Sequence, residues 1–275
     1  MRYRLLALDL DGTLLDDHNR ISLRNRDAIW AARDRGVVVT LSTGRMYRSA
    51  IRFAHELEME VPLITYNGAL IKDSGGQVYR DLPLPLPAAR IALAIAREYD
   101  LHVNVFMGDE LFVDRDDEWT KRYHRSSSVP PKIVPDLKRV LTAAPNKVLF
   151  LGTEEELQPV WPVLAEELAG QAHITSSSPQ FVEIIHPSVS KQSGLAYLLK
   201  QFGLTAKEAI AIGDNYNDLE MITYAGLGVA MSNAPKEVRA RADYVTGDNN
   251  DGGVAQVIER FILSSDEELG KCKHL

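Results

Sequence analysis

Two aspartates, Asp9 and Asp11, stand one residue apart at the end of the apolar run Leu5-Leu6-Ala7-Leu8, followed at once by Gly12 and Thr13. A short apolar run ending in acids reads as a buried parallel strand that delivers carboxylates to its own carboxyl end. Two acids held together there repel each other and cost stability unless chemistry uses them. The pairing suits metal-assisted phosphoryl transfer. An aspartate is already ionised at neutral pH, with an ordinary pKa of about 3.9, so it attacks phosphorus without an activating base. A neighbouring acid can protonate the departing alkoxide and then take a proton from water, and Asp11 is the candidate. The plain alternative is an Asp-Gly turn, although Asp-x-Asp-Gly-Thr is more specific than such a turn requires.

Other polar groups fall at similar positions. Val37–Leu41 reads as a strand ending at Ser42-Thr43-Gly44-Arg45, and Leu63–Tyr66 as one ending at Asn67-Gly68. Ala209–Ile212 ends in Gly213-Asp214-Asn215-Tyr216-Asn217-Asp218. Thr43 and Gly44 offer a hydroxyl and a backbone N–H at a strand-to-helix turn, where the helix dipole favours an anion; an ordinary helix cap is the bland reading. Lys191 opens a helix, where the macrodipole disfavours a cation, a reason to look for an anionic partner, while an exposed lysine is the plainer reading of that residue taken alone. Asp214 could hold a metal, Asn217 could donate to phosphate, and Asp218 could cap the next helix. Asp9, Asp11, Asp214 and Asp218 set four negative charges against one lysine, a deficit that a divalent cation would correct. Oxygen ligands select a hard ion, and Mg2+ is the usual choice beside a phosphate.

The elements that must position these groups alternate at both ends of the chain. Ser22 caps a helix to Arg35, with Gly36 as its stop, and a second helix runs to about Glu58. Asp73-Ser74-Gly75-Gly76 reads as a hairpin turn between Ala69–Ile71 and Val78-Tyr79. Pro83, Pro85 and Pro87 mark a linker. From Ala88 to about Ile185 the order changes to an α+β module: a helix to Tyr99, strands at His102–Phe106, Leu111–Val113 and Lys147–Leu151, and a helix over Glu154–Leu168. Strands at His173–Ser176 and Phe181–Ile185 complete it. Alternation then resumes: a Ser190-capped helix to Phe202, a Thr205/Glu208 capping box, a helix around Asp218–Tyr224, strands at Leu227–Ala230 and Tyr244–Val245, and a helix over Gly253–Phe261. The predicted fold is α/β, a doubly wound parallel sheet (residues 1–82 and 187–275) with an inserted α+β cap (residues 83–186). Ligands collect in such sheets outside the strands' carboxyl ends, where the strand order reverses.

Composition narrows the partners. A net charge of -7 argues against broad nucleic-acid or anionic-membrane binding. The single cysteine, Cys272, excludes an intramolecular disulfide. No apolar run approaches the ~20 residues that cross a bilayer, and the apolar stretch at the amino terminus is too short for a signal peptide. The expectation is a cytoplasmic protein. The tail from Ser264 to Leu275 reads as a frayed extension. The seven histidines lack metal-ligand spacing, and Trp30, Trp119 and Trp161 are expected to pack rather than bind ligand.

Asp9-Leu10-Asp11-Gly12-Thr13, Ser42-Thr43-Gly44-Arg45, Asn67-Gly68, Lys191 and Gly213-Asp214-x-x-Asn217-Asp218 occur in this order. Together they resemble the haloacid-dehalogenase-like (HAD) hydrolase superfamily, and the position of the insert resembles the C2B-like cap of its Cof-type phosphatases. The resemblance spans Met1 to Phe261 and implies a Mg2+-dependent phosphatase acting on a small phosphorylated metabolite. It makes Asp9 the nucleophile and a metal ligand. Asp11 becomes the acid/base, giving the metal its main-chain carbonyl while its side chain stays free. Asp214 is the other metal carboxylate, with Asp218 and Asn67 behind the site. The backbone at Leu10 and Gly44, with Thr43, Lys191 and Asn217, holds the phosphate.

An insert of this kind should close over the strand ends, with Leu82–Pro87 and His186–Ser190 as hinges. Lys121-Arg122-Tyr123-His124-Arg125 is its densest positive cluster, read as a solvated helix face, or else as a receptor for a second anionic group on the substrate. Three functions stay open: a phosphomonoester hydrolase, a phosphotransferase or mutase sharing its first half-reaction, and a non-catalytic regulator on the same scaffold. The last is expected to lose Asp9, Asp11, Lys191 or Asp214, and all four are present.

Overall fold

A computed structural model describes residues 2–264; the expected frayed tail lies, beyond Ser264, outside the described residues. The chain opens with β1 (Leu5–Leu8), α1 (Leu23–Asp34), β2 (Val38–Leu41) and α2 (Tyr47–Glu56). It continues through β3 (Leu63–Thr65), β4 (Leu70–Lys72) and β5 (Val78–Asp81). The middle third begins with α3 (Leu86–Glu98), β6 (His102–Met107), β7 (Glu110–Val113), α4 (Glu118–Ser127), β8 (Lys132–Ile133) and α5 (Leu137–Val140). Then come β9 (Lys147–Leu151), α6 (Glu154–Leu157), α7 (Val160–Glu167), β10 (His173–Thr175) and β11 (Phe181–Ile185). The last third holds α8 (Lys191–Gln201), β12 (Ala209–Gly213), α9 (Leu219–Tyr224), β13 (Leu227–Ala230), α10 (Lys236–Arg239), β14 (Tyr244–Val245) and α11 (Gly253–Ile258).

The outer segments build a parallel sheet in the order β14-β13-β12-β1-β2. All four residues of β1 are buried, because both faces are covered. Leu6 and Leu8 pack with α1 and α11, while Leu5 and Ala7 pack with Leu195 and Leu198 of α8. The chain leaves β1 to one side for β2 and later returns on the other as β12, so the order reverses between β1 and β12. The loops after those two strands carry Asp9–Thr13 and Gly213–Asp218, and the reversal opens a crevice between them. β3 runs parallel beside the end of β2, as expected, though its contact with the sheet is slight. It meets the sheet through one bridge, Ser42 to Ile64, and pairs antiparallel with β4, which pairs with β5.

The middle third forms its own sheet, β10-β11-β9-β6-β7-β8, antiparallel except for β7 with β8. One face is covered by α3, α5, α6 and α7. The other face turns toward the core strand ends and shares one apolar cluster with them: Phe106, Tyr123 and Leu149 are buried with Leu10, Leu41 and Phe53. Each such aromatic buried is worth roughly 1.5–3 kcal/mol, so the cap is seated, not hovering.

Several local expectations are corrected. The single helix over Glu154–Leu168 is two, α6 and α7, broken where Pro159 lacks an N–H to continue the ladder. The proline linker is shorter than its spacing implied: α3 begins at Leu86 with Pro87 in its first turn, where no N–H is needed. α5 and β8 had no strong apolar period to announce them, while α4, read in part as the helix face Lys121–Arg125, is capped by Asp117, which accepts from Thr120 N at 3.0 Å.

Candidate active site

At the crevice, β1 hands its chain to Asp9, whose N–H still donates to Ile212 O of β12 at 3.0 Å. This ladder bond fixes Asp9 beside the end of β12. Gly12 then turns with φ +74°, and a Cβ there would lie 2.5 Å from Asp214 Oδ2. Only glycine permits both the left-handed backbone and the approach of the second loop. Thr13 Oγ1 donates to Asp214 Oδ1 at 2.7 Å, locking the two loops together.

Asp9, Asp214 and Asp218 each offer a carboxylate oxygen, and these oxygens lie within 4.8 Å of one another. All three residues are buried. Lys191, the first residue of α8 and 1% exposed on its side chain, donates to Asp9 Oδ1 at 2.5 Å and Asp218 Oδ1 at 2.6 Å. Its unfavourable place at a helix start is thus answered by two anions. The other oxygen of Asp218 accepts from Asp214 N and Asn215 N, both at 3.1 Å. Asp218 therefore reaches back to hold its own turn instead of capping α9, as its spacing had implied.

The charge balance is poor. Burial pushes Asp9 well above the usual carboxylate range, with Lys191 opposing and the Asp218 and Asp214 charges adding to the rise. Burial and then the Asp218 charge push Asp214 up to about 7. Burial would lower Lys191, but the charges of Asp218 and Asp9 outweigh it and raise its pKa. An oxygen-only set of acids with one lysine for three carboxylates is the donor chemistry that a hard divalent cation fits. Asp11 is not in this trio.

The side chain of Asp11 is not free. Desolvation would raise it, but the Arg45 guanidinium holds its carboxyl below the usual range. Arg45 grips it in a fork, Nε to Oδ2 at 2.7 Å and Nη2 to Oδ1 at 2.5 Å. Arg45 also donates to Asn19 Oδ1 at 2.7 Å and Ser126 O at 3.4 Å, tying Asp11 to the cap. Thr43 and Gly44 sit between β2 and α2, but Thr43 caps no helix: its Oγ1 accepts from Arg45 N at 3.1 Å. Asn217 Nδ2 donates to Asn67 Oδ1 at 3.0 Å. Leu10 is buried in the core beneath.

A cavity of about 280 Å³ lies between these groups and the cap. Its floor includes Asp9, Asp11, Thr43, Gly44 and Asn217. Its roof includes Leu149, Phe181, Lys147 and Glu183 from the cap sheet. One wall is α4, which presents Trp119, Arg122, Tyr123 and Ser126, a single helical stripe. Trp119 packs as expected, and its packing places it along the cavity. The positive cluster divides: Arg122 and Tyr123 face the cavity, whereas Lys121 pairs with Glu118 in solvent and Arg125 is exposed. Sequence reasoning missed Arg45, Lys147 and Glu183 as site residues. The available signal was a lysine and a glutamate standing inside strands of otherwise apolar residues.

The family model for haloacid dehalogenase-like hydrolases matches residues 6–258. The protein named 5-amino-6-(5-phospho-D-ribitylamino)uracil phosphatase YitU, from Bacillus subtilis, is 32% identical over 266 residues, covering 94% of this chain and 97% of its own. A haloacid dehalogenase-like hydrolase from Bacteroides thetaiotaomicron has a similar structure, with TM-score 0.86 and 33% identity over 94% of this chain and 100% of that one. The sugar phosphatase BT4131, described as HAD subclass IIB, superposes with TM-score 0.83 at 25% identity, covering 94% of this chain and 98% of its own. The chain belongs to the haloacid dehalogenase-like hydrolases, in their Cof-type branch, and is a hydrolase of the phosphatase kind.

Proposed function

We propose that the protein is a Mg2+-dependent phosphatase that releases inorganic phosphate from a small phosphorylated sugar, polyol or cofactor through an aspartyl-phosphate on Asp9. The observation that carries this reading is the buried trio Asp9, Asp214 and Asp218 around Lys191, with Asp9 reaching the cavity beneath the cap. Mg2+ would be held by Asp9, Asp214 and the main-chain carbonyl of Asp11, and would supply charge neutralisation for the phosphate. Asp9 attacks phosphorus, and the phosphate oxygens are received by the N–H groups of Leu10 and Gly44, by Thr43, and by Lys191 and Asn217. Asp11 moves the proton at the leaving oxygen and then at water. To do so it must exchange part of its grip on Arg45 for the substrate.

The cap, residues 83–186, would exclude water and read the leaving group, while residues 1–82 and 187–275 carry the chemistry. The cavity volume and the aromatic wall of Trp119, Tyr123 and Phe181 support a ring-sized leaving group. The names of YitU and BT4131 support a phosphorylated polyol or sugar. Among the described residues no helix is long and apolar enough to cross a membrane, which is compatible with work in the cytoplasm.

The test is a screen of phosphorylated metabolites with and without Mg2+, using Asp9→Asn as control. Phosphate release that needs Mg2+ and falls at least ~10³-fold in the folded variant is expected. Conversion of substrate to an isomer without phosphate release would move the assignment to a mutase. Unaltered turnover in Asp9→Asn would end the aspartyl-phosphate reading.

A further inference from the structure

The roof of the cavity holds an ion pair that the phosphoryl chemistry leaves unused. Lys147 of β9 and Glu183 of β11 meet at 2.7 Å, with side chains 3% and 1% exposed. A buried pair of this kind is no strong source of stability, since an apolar pair of similar size does about as well. Its geometry toward the core is the informative part, because each member reaches a different strand end.

Lys147 Nζ donates to the carbonyl of Gly44 at 2.7 Å. On the other side of that same peptide, Arg45 N donates to Thr43 Oγ1. The hydroxyl of Thr43 therefore accepts a hydrogen bond from the backbone and keeps its own proton to donate into the cavity it lines. The other arm starts at Glu183, which accepts from Asn67 Nδ2 at 3.0 Å. A carboxylate can only accept, so it sets the amide's orientation and turns Asn67 Oδ1 toward Asn217. One proton of Asn217 Nδ2 is spent there, and the second is left for the cavity. The two arms run close together: a Cβ on Gly44 would lie 3.1 Å from Asn67 Oδ1 and 3.3 Å from Glu183 Oε1.

We propose that Lys147 and Glu183 are a positioning pair through which the seated cap aims Thr43 and Asn217 at the phosphate, so that cap closure and phosphate affinity are one coupled event. The proposal deepens the phosphatase reading and rests on it. Both arms begin at a charge, and charge-assisted bonds polarise those that follow them. With the cap lifted, the Gly44 carbonyl and the Asn67 amide lose their partners, and both donors are free to turn away.

The experiment measures inhibition by inorganic phosphate of p-nitrophenyl phosphate hydrolysis with Mg2+ present, in three proteins. Lys147→Met/Glu183→Leu removes both arms without leaving a lone buried charge. Lys147→Met/Glu183→Gln restores an acceptor for Asn67 alone. The first variant is expected to raise the phosphate inhibition constant about 10-fold or more with its melting temperature little changed, and the second to recover part of the loss. An inhibition constant within twofold of wild type in the first variant would overturn the proposal, as would an absence of recovery in the second. If neither double variant folds, Asn67→Gly tests the Asn217 arm, since glycine suits the positive φ of 55° at that position. A rise of a few-fold is expected there, and no rise overturns the proposal. Wild-type protein that neither hydrolyses the reporter nor binds phosphate would overturn the phosphatase reading itself, and this one with it.

Discussion

Among the described residues two lysines are buried against carboxylates at nearly the same distances, and they do opposite things. Lys191 in the core faces two acids directly, with Asp214 beside them. Lys147 in the cap faces only Glu183, and the spare hydrogen bonds of that pair go to the Gly44 carbonyl and the Asn67 amide in the core and to the Ser177 hydroxyl in the cap. The cap pair is balanced and complete as it stands. The core cluster is in deficit by two positive charges, and burial first, then the neighbouring carboxylates, raise the pKa values of Asp9 and Asp214. A balanced pair can serve as structure, whereas an unbalanced one invites a cation and an incoming phosphate.

The sharpest way to break this contrast is to remove each lysine's charge in turn. Lys191→Met leaves three buried carboxylates without a counter-charge. It should cost about 3–5 kcal/mol in urea unfolding without divalent ions and lower turnover at least ~10²-fold. Mg2+ should restore part of the stability but not the turnover. The neutral cap double variant described above should leave stability nearly intact, and equal losses in the two would erase the distinction.

A smaller effect follows from protonation. Asp214 binds a proton more tightly folded than unfolded, so its contribution is complete below pH about 4 and is lost as pH rises through about 7. Without divalent ions the melting temperature should therefore fall by roughly 5–10 °C between pH 5 and 8. With saturating Mg2+ the fall should disappear, because a bound cation replaces the proton. A flat profile in both conditions would mean that the core cluster is as balanced as the cap pair.

The smallest effect concerns the wall of the cap. Arg122 lines the cavity and stacks 5.5 Å from the Trp119 ring, while Arg125 is exposed outside it. Arg122→Glu should raise the KM of the best substrate several-fold, and Arg125→Glu should change it less than twofold. Similar shifts in both would return the whole cluster to the solvated face that its composition suggests.

The core was legible because its signals are local. A four-residue apolar run before Asp9, another before Gly213, and Ser190 before Lys191 announce strand ends and a helix start without tertiary information. The relation between Asp11 and Arg45 was not legible: the pair is 34 residues apart, and each has an ordinary local role. Lys147 and Glu183 were hidden for a different reason. A strand's alternation shows which residues share a face but not what that face meets, and their partners lie on other strands and in another sheet. In α4 the helix was legible from Lys121–Arg125, but not that Trp119, Arg122, Tyr123 and Ser126 would line a cavity.

The return path from cap to core is only five residues, His186–Ser190. Its far end is nailed down: the Cα of Gly68 presses so close that a Cβ there would lie 2.4 Å from Ser190 O, and Ser190 caps α8. Lys191 follows immediately, at the axle of any swing and not on the swinging arm. The ammonium that steadies Asp9 therefore keeps its place whichever way the lid turns, and the Lys147–Gly44 contact lies beside the same axle, since Leu84 N donates to Pro145 O and Asn146 Nδ2 to Asp81 Oδ1 at the other linker.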